Sequence, residues 1–178
     1  MRMMLRKMYL MVYMQWLNEV MRRMAIRSAA KAVIINEGKV LLNRCRHNDG
    51  REYYDLPGGG QNQFEPLEDA VRREVMEETG YTVEKLRFAA LAEDIYTDEF
   101  IRSNYPDYSH RVFHIFAAEL TDAPRNEPTE VDWGMEKSVW VALEDVKDLP
   151  MTFPDRLDEL IENILNDGPV MWLGTAYR

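Results

Sequence analysis

GGGQNQFEPLEDAVRREVMEETGY, residues 58–81, decides how this chain folds. Three glycines open it, and glycine lets a backbone approach other groups closely. Leu67, Ala70, Val71, Val75 and Met76 then recur at helical spacing. Pro66 suits a first helical turn and Gly80 a C-terminal cap. The spacing predicts a helix over residues 65–79, with Gly58 to Gly60 as a flexible turn before it. Glu74, Glu77 and Glu78 fall at i, i+3 and i+4, which puts three carboxylates on one helix face. Such a triplet alone is most often a solvated face. A glycine segment just upstream changes the reading, because magnesium takes oxygen ligands and keeps waters and phosphate oxygens in its shell.

Outward from the helix, the chain alternates short apolar runs with turn formers. Ala32 to Ile35 and Val40 to Leu42, separated by Asn36-Glu37-Gly38, predict a hairpin. Tyr53 to Leu56 predicts a short extended segment, and strands are expected at 87–93, 111–118 and 139–142. Residues 143–149 and 155–165 read as helices, and 172–177 as an edge strand. Residues 95–108 and 121–137 read as loops. Mixed strands around one central helix, with later helices, indicate an α/β or α+β sandwich.

Composition narrows the function. The net charge of -9 argues against a duplex nucleic-acid partner or an anionic membrane. A protein this acidic needs a local cation to hold an anionic substrate. The single cysteine, Cys45, excludes an internal disulfide and a multi-cysteine zinc site, and fits a cytoplasmic protein. It reads as a small residue packed in a strand. Residues 1–24 hold eight of the twelve methionines and five basic residues. They read as an extension to a domain covering residues 25–178. The extension is either an amphipathic helix, a means of pairing two copies into a homodimer, or a start-site artefact with Met24 as the natural start. Its apolar run is too short for stable membrane insertion, and no small-residue cleavage site ends it.

Gly59, Glu65 and Arg73-Glu74-Val75-Met76-Glu77-Glu78-Thr79-Gly80-Tyr81 together resemble the Nudix box of the Nudix hydrolase family. Seven fixed residue types and two apolar positions coincide. Chance agreement is on the order of one in a billion per window at ordinary residue usage. Leu56-Pro57-Gly58 is similar to the family's entry into the box. The resemblance implies the Nudix α/β/α sandwich and a Mg²⁺-dependent hydrolase, with Mn²⁺ as a substitute. The bond cleaved would be a diphosphate linkage in a nucleoside diphosphate joined to another moiety. That moiety makes the substrate a nucleoside triphosphate, a nucleotide sugar or an ADP-ribose type. It implies Glu74, Glu77, Glu78 and the carbonyl of Gly58 as metal ligands, Glu74 as a candidate general base, and Arg73 as the residue that orients a carboxylate. Glu65 would partner Arg73 or the loop. Two alternatives stand beside this: a dinucleoside polyphosphate or RNA-end pyrophosphohydrolase, and a non-catalytic nucleotide-binding module. The box departs from the family where many members carry glutamate at Asn62 and glycine near Phe64.

Other candidates lie outside the box. Glu127, Glu130, Asp132 and Glu136 precede a strand, and Glu136 is the preferred acid to assist the metal. His110 and His114 share a strand face and are candidates for lining the pocket. Arg44 and Arg46 share a face and are candidates for phosphate contact. Tyr53, Tyr54, Phe100, Tyr105 and Tyr108 are candidates for stacking a base. Tyr96, sixteen residues after Gly80, resembles the tyrosine of members acting on diadenosine polyphosphates.

Overall fold

Among the described residues, β1 (Arg27–Asn36) organises a nine-stranded mixed sheet. The computed structural model describes residues 8, 10–14, 26–130 and 134–178. β1 turns through Glu37 and Gly38, both at positive φ, into β2 (Lys39–Arg46). Positive φ at both central residues gives the turn whose twist matches the strands. β3 (Glu52–Asp55) and β4 (Gly58–Gly60) follow. After helix α1 (Leu67–Thr79) come β5 (Val83–Ile95), α2 (Glu99–Asn104) and β6 (His110–Leu120). The chain closes with β7 (Met135–Ala142), β8 (Thr152–Phe153), α3 (Leu157–Leu165) and β9 (Met171–Tyr177). The strand order is β8-β3-β2-β1-β6-β5-β9, with β4 paired to β1 and β7 to β2.

The sheet divides along β1. Near its end, Ile35 and Asn36 pair with β2, whereas Ala29, Ala30 and Lys31 pair with β4. On its other side β1 runs parallel to β6 from Arg27 beside Arg111 to Ile34 beside Ala118. Alternate residues of β1 enter two cores. Ala30, Ala32 and Ile34 pack with Ala70, Val71 and Val75 of α1. Ala29 and Val33 pack with Leu157, Leu160 and Ile161 of α3. The result is an α/β/α sandwich.

Four expectations change. Gly58 to Gly60 is a strand paired with β1, where a Cβ at Gly58 would meet the β1 backbone and one at Gly59 or Gly60 would meet the Glu74 or Arg27 side chain. Residues 95–108 hold α2 and a 3-10 turn at Pro106–Tyr108. Asp98 caps α2 by accepting from the amides of Phe100 and Ile101, and Arg102 Nε donates to the Tyr96 carbonyl at 2.6 Å. The strand expected at 139 begins at Met135. The helices expected at 143–149 and 155–165 are a 3-10 helix at Leu143–Asp148 and α3. Within the N-terminal extension, residues 8 and 10–14 are helical and exposed, and the rest of that expectation lies outside the described residues. No helix among the described residues is long and apolar enough to cross a membrane.

β9 is locked to the sheet by charge as well as by its ladder. Asp94 of β5 is buried and accepts from Arg111 at 2.9 Å and from Arg178 at 3.0 Å. The Arg178 guanidinium also lies 4.1 Å from the Phe153 ring centre. Arg178→Ala leaves Asp94 with one cation, and we expect a loss of about 1–3 kcal/mol in unfolding free energy. Urea titration of both proteins measures it.

Candidate active site

α1 presents its acidic face to the glycine strand, and the fit is steric. A Cβ at Gly59 would overlap the Glu74 carboxylate, so only glycine admits that side chain. Gly58 stands at φ 129°, and a Cβ there would meet the Ala30 carbonyl. α1 ends at Gly80, φ 74°, as the sequence predicts.

Arg73 ties the face together. Its Nε donates to Glu65 Oε1 at 2.7 Å and its Nη2 to Glu65 Oε2 at 2.9 Å. Nη2 also donates to the Gly60 carbonyl at 3.0 Å. Nη1 donates to Glu74 Oε1 at 2.7 Å and to Glu77 Oε2 at 3.0 Å. One guanidinium thereby fixes three carboxylates and the glycine strand. This fork holds the Glu65 carboxyl at about 2, well below its usual range. Burial pushes Glu74 up, against the pull of Arg73.

Glu78 is the most deeply placed acid of the face, 3% exposed. Its Oε2 accepts from Asn43 Nδ2 and from the Gly58 amide, both at 2.8 Å. Burial still pushes it up to about 7, opposed by the charge of Lys31 and the Gly58 amide. Lys31 is itself buried and donates to Asp55 Oδ2 and the Leu56 carbonyl, each at 3.0 Å. Burial alone would lower Lys31, but Asp55 and Glu78 outweigh it and its pKa is raised. Ser138 Oγ completes the shell by donating to Asn43 Oδ1 at 2.9 Å.

These donors fit a small hard cation. Among the described residues no three His, Cys, Asp or Glu side chains converge as a ready cage. Protein donors reach Glu74 through Oε1 and Glu78 through Oε2. An ion held by the other oxygens would complete its shell with water and phosphate, as magnesium commonly does. Two desolvated carboxylates with raised pKa values are short of positive charge, which is the deficit a divalent ion fills.

The remaining candidates fall in several places. Glu77 is held by Arg73, and Gly58 enters through its amide. Glu136 departs from expectation, because its carboxylate is taken by Arg44 at 2.8 Å and Arg46 at 2.7 Å. Both arginines alternate with Asn43 along β2, so the pleat turns them to the opposite strand face. Glu136, Arg44 and Arg46 are thus paired with one another on the strand face away from Asn43. Asp132 lies outside the described residues. His110 pairs with Glu93 at 2.8 Å, and His114 Nδ1 lies 3.4 Å from Ser28 Oγ. Neither histidine bonds to the acidic face.

A cleft of about 550 Å³ lies at Asp55, whose carboxylate is the one that holds Lys31. Tyr53, Tyr96, Tyr105, Tyr108 and Phe153 line it, together with Arg111. The Arg111 guanidinium sits 5.6 Å from the Tyr96 ring centre. Tyr54 points to the other face with Arg44, and Phe100 is 64% exposed. Sequence reasoning missed Lys31, Asn43, Asp55 and Arg111. Lys31 had a readable signal, as the one charge inside the apolar run 29–35.

Sandwich, glycine strand and acidic helix face together define a NUDIX domain. A family profile described as the NUDIX domain matches residues 25–164, and the chain belongs to the Nudix family of hydrolases. It is 27% identical over 133 residues to the nucleoside triphosphatase NudI of Klebsiella pneumoniae (strain 342), covering 74% of this chain and 92% of that protein. Among solved structures, a MutT NUDIX hydrolase from Burkholderia pseudomallei is 27% identical, with a TM-score of 0.57 over 75% of this chain and 95% of that one. A NUDIX hydrolase from Nitrosomonas europaea has a TM-score of 0.64 at 16% identity, over 82% of this chain and 93% of that one.

The Glu65–Arg73 fork sets an acid-sensitive step in stability. The folded-state pKa of Glu65 is depressed, so its contribution is present above the usual carboxylate value and is lost as pH falls towards about 2. Glu65→Gln should cost about 1–3 kcal/mol at neutral pH. The gap from the unaltered protein should close between pH 4.5 and about 2 in unfolding titrations across that range.

Proposed function

We propose that this chain is a divalent-metal-dependent pyrophosphohydrolase of a nucleoside diphosphate linked to a further phosphate or moiety, with nucleoside triphosphates as its first substrates. The observation that carries the reading is the pair Glu74 and Glu78, two buried carboxylates held against a glycine strand beside an aromatic cleft. The 27% identity to a nucleoside triphosphatase over 92% of its length supports the triphosphate.

Each residue has a role in this scheme. Glu74 and Glu78 hold the ion, magnesium by preference with manganese in its place. Once bound, that ion neutralises phosphate charge and lowers the pKa of a water ligand. Arg73 orients Glu74 and Glu77 through Nη1 and never needs to touch substrate. Asn43 and the Gly58 amide aim Glu78. Glu74 is also the candidate general base, taking the proton of the attacking water through Oε2, the oxygen not taken by Arg73, where Glu78 alone carries the ion. Lys31 keeps the paired acids tolerable in a buried setting. The cleft takes the base between aromatic faces, with Arg111 as a donor to its edge. Tyr96 lies in that cleft, so dinucleoside polyphosphates are the second substrate class to test.

A panel of nucleoside triphosphates, nucleotide sugars, ADP-ribose and dinucleoside polyphosphates with Mg²⁺ tests the reading, scored by product identity. Hydrolysis of at least one, abolished by a chelator, is expected. Glu74→Gln and Glu78→Gln should each lower kcat by about 100-fold or more. Undiminished turnover in Glu78→Gln would overturn the metal assignment.

A further inference from the structure

Arg27 differs from every other arginine among the described residues. Arg44, Arg46, Arg51, Arg72, Arg73, Arg111, Arg156 and Arg178 pair with carboxylates. Arg87, Arg102 and Arg125 donate to backbone carbonyls. The Arg27 guanidinium makes no ion pair or hydrogen bond among these residues, in a chain with 31 acidic side chains. It is nevertheless fixed in place. Its centre lies 4.6 Å from the Tyr108 ring centre, and a Cβ at Gly60 would meet it at 2.6 Å. Stacking of this kind supports a guanidinium without consuming its donors.

The surroundings define a site. Arg27 lines a pocket of about 570 Å³ with Ser28, Gly60, Gln61 and Asn62. The Gln61 loop is tied to β1 beside Arg27, because Gln61 N donates to the Ser28 carbonyl at 3.1 Å and Ser28 Oγ donates to Gln61 Oε1 at 2.9 Å. Neighbouring glycines face the two groups: the missing Cβ of Gly59 admits Glu74, and that of Gly60 admits Arg27. Tyr108, the support of Arg27, also walls the aromatic cleft. Successive strand positions face opposite sides, so Arg27 stands across β4 from Glu74, between the polar pocket and the aromatic cleft. One carboxylate, Asp107, lines the pocket but makes no ion pair with it.

We propose that Arg27 is a substrate-positioning residue that holds a non-reacting phosphate of the nucleotide in this pocket, through the planar donor fork that matches phosphate oxygens. The proposal rests on the function given above. A contact made equally in the ground and transition states raises KM and spares kcat when removed. Arg27→Ala should raise KM for the best substrate by about 10–100-fold with kcat within about threefold, and Arg27→Lys should recover part of the loss. Asp107→Asn removes the opposing charge and should lower KM.

Binding of nucleoside triphosphate, monophosphate and free nucleoside, measured by calorimetry without divalent ion, separates this proposal from the reading beneath it. Arg27→Ala should weaken the phosphate-bearing ligands and leave the nucleoside unchanged. If the unaltered protein hydrolyses nothing in the panel but shows this pattern, the catalytic reading fails and the phosphate site stands. If it hydrolyses a substrate and Arg27→Ala leaves KM and all affinities unchanged, the site is overturned. Equal weakening of nucleoside and nucleotide would also overturn it, since Arg27 would then act only by supporting Tyr108.

Discussion

The side chain of Arg73 reaches three acids and a strand that has no side chains. Its donors go to Glu65, Glu74, Glu77 and the Gly60 carbonyl. Acids at i, i+3 and i+4 repel on a helix, and the repulsion grows when burial removes water. The fork of Arg73 fixes Glu74 and Glu77, while Asn43 and the Gly58 amide fix Glu78. The fork also couples α1 to β4, so the helix face and the glycine strand are one unit. A lysine at this position would offer a point charge and could not span the same set.

The sheet supplies the other half of the arrangement. β1 leaves β2 after two paired residues and accepts β4 in its place. That division brings Gly58 to Glu78 and lets Lys31 reach Asp55 from within an otherwise apolar strand. The same division places α1 over one core and α3 over the other. The buried charges form a chain from Asp55 through Lys31 to the acids of α1, and this chain links the aromatic cleft to the acidic face. Cys45 lies near it, and burial pushes its thiol up to about 12, so it serves as packing.

What could be read from the sequence was local. The helix, its C-terminal cap, the three acids and Arg73 sit within one window, where spacing alone fixes their relation. The hairpin at Glu37-Gly38 was legible for the same reason. The mutual pairing of Glu136, Arg44 and Arg46 was not legible, because strand register, set by the pairing of β2 with β3 and β7, decides which face they occupy. Residues 58–60 read as a turn because glycine disfavours strands, and only the partner β1 explains the exception. Phe64 departs from the glycine common in the family and stands at φ 67°, in the region glycine tolerates, with its ring 95% exposed. The cleft was unreadable because β3, β6, β8 and the segment after β5 contribute to it from distant parts of the chain. Lys31 and Arg27 were visible as lone charges but carried no spacing to connect them with α1.

On the proposed function, the fork of Arg73, and not its charge alone, holds Glu74 and Glu77 ready for a divalent ion. Arg73→Lys keeps the charge and removes the fork. The most direct measurement is Mn²⁺ binding to both proteins, followed by the paramagnetic resonance of the free ion. The variant should bind Mn²⁺ about tenfold or more weakly, within the range seen when a group supporting a metal ligand is lost. Equal affinity in the two proteins would contradict it.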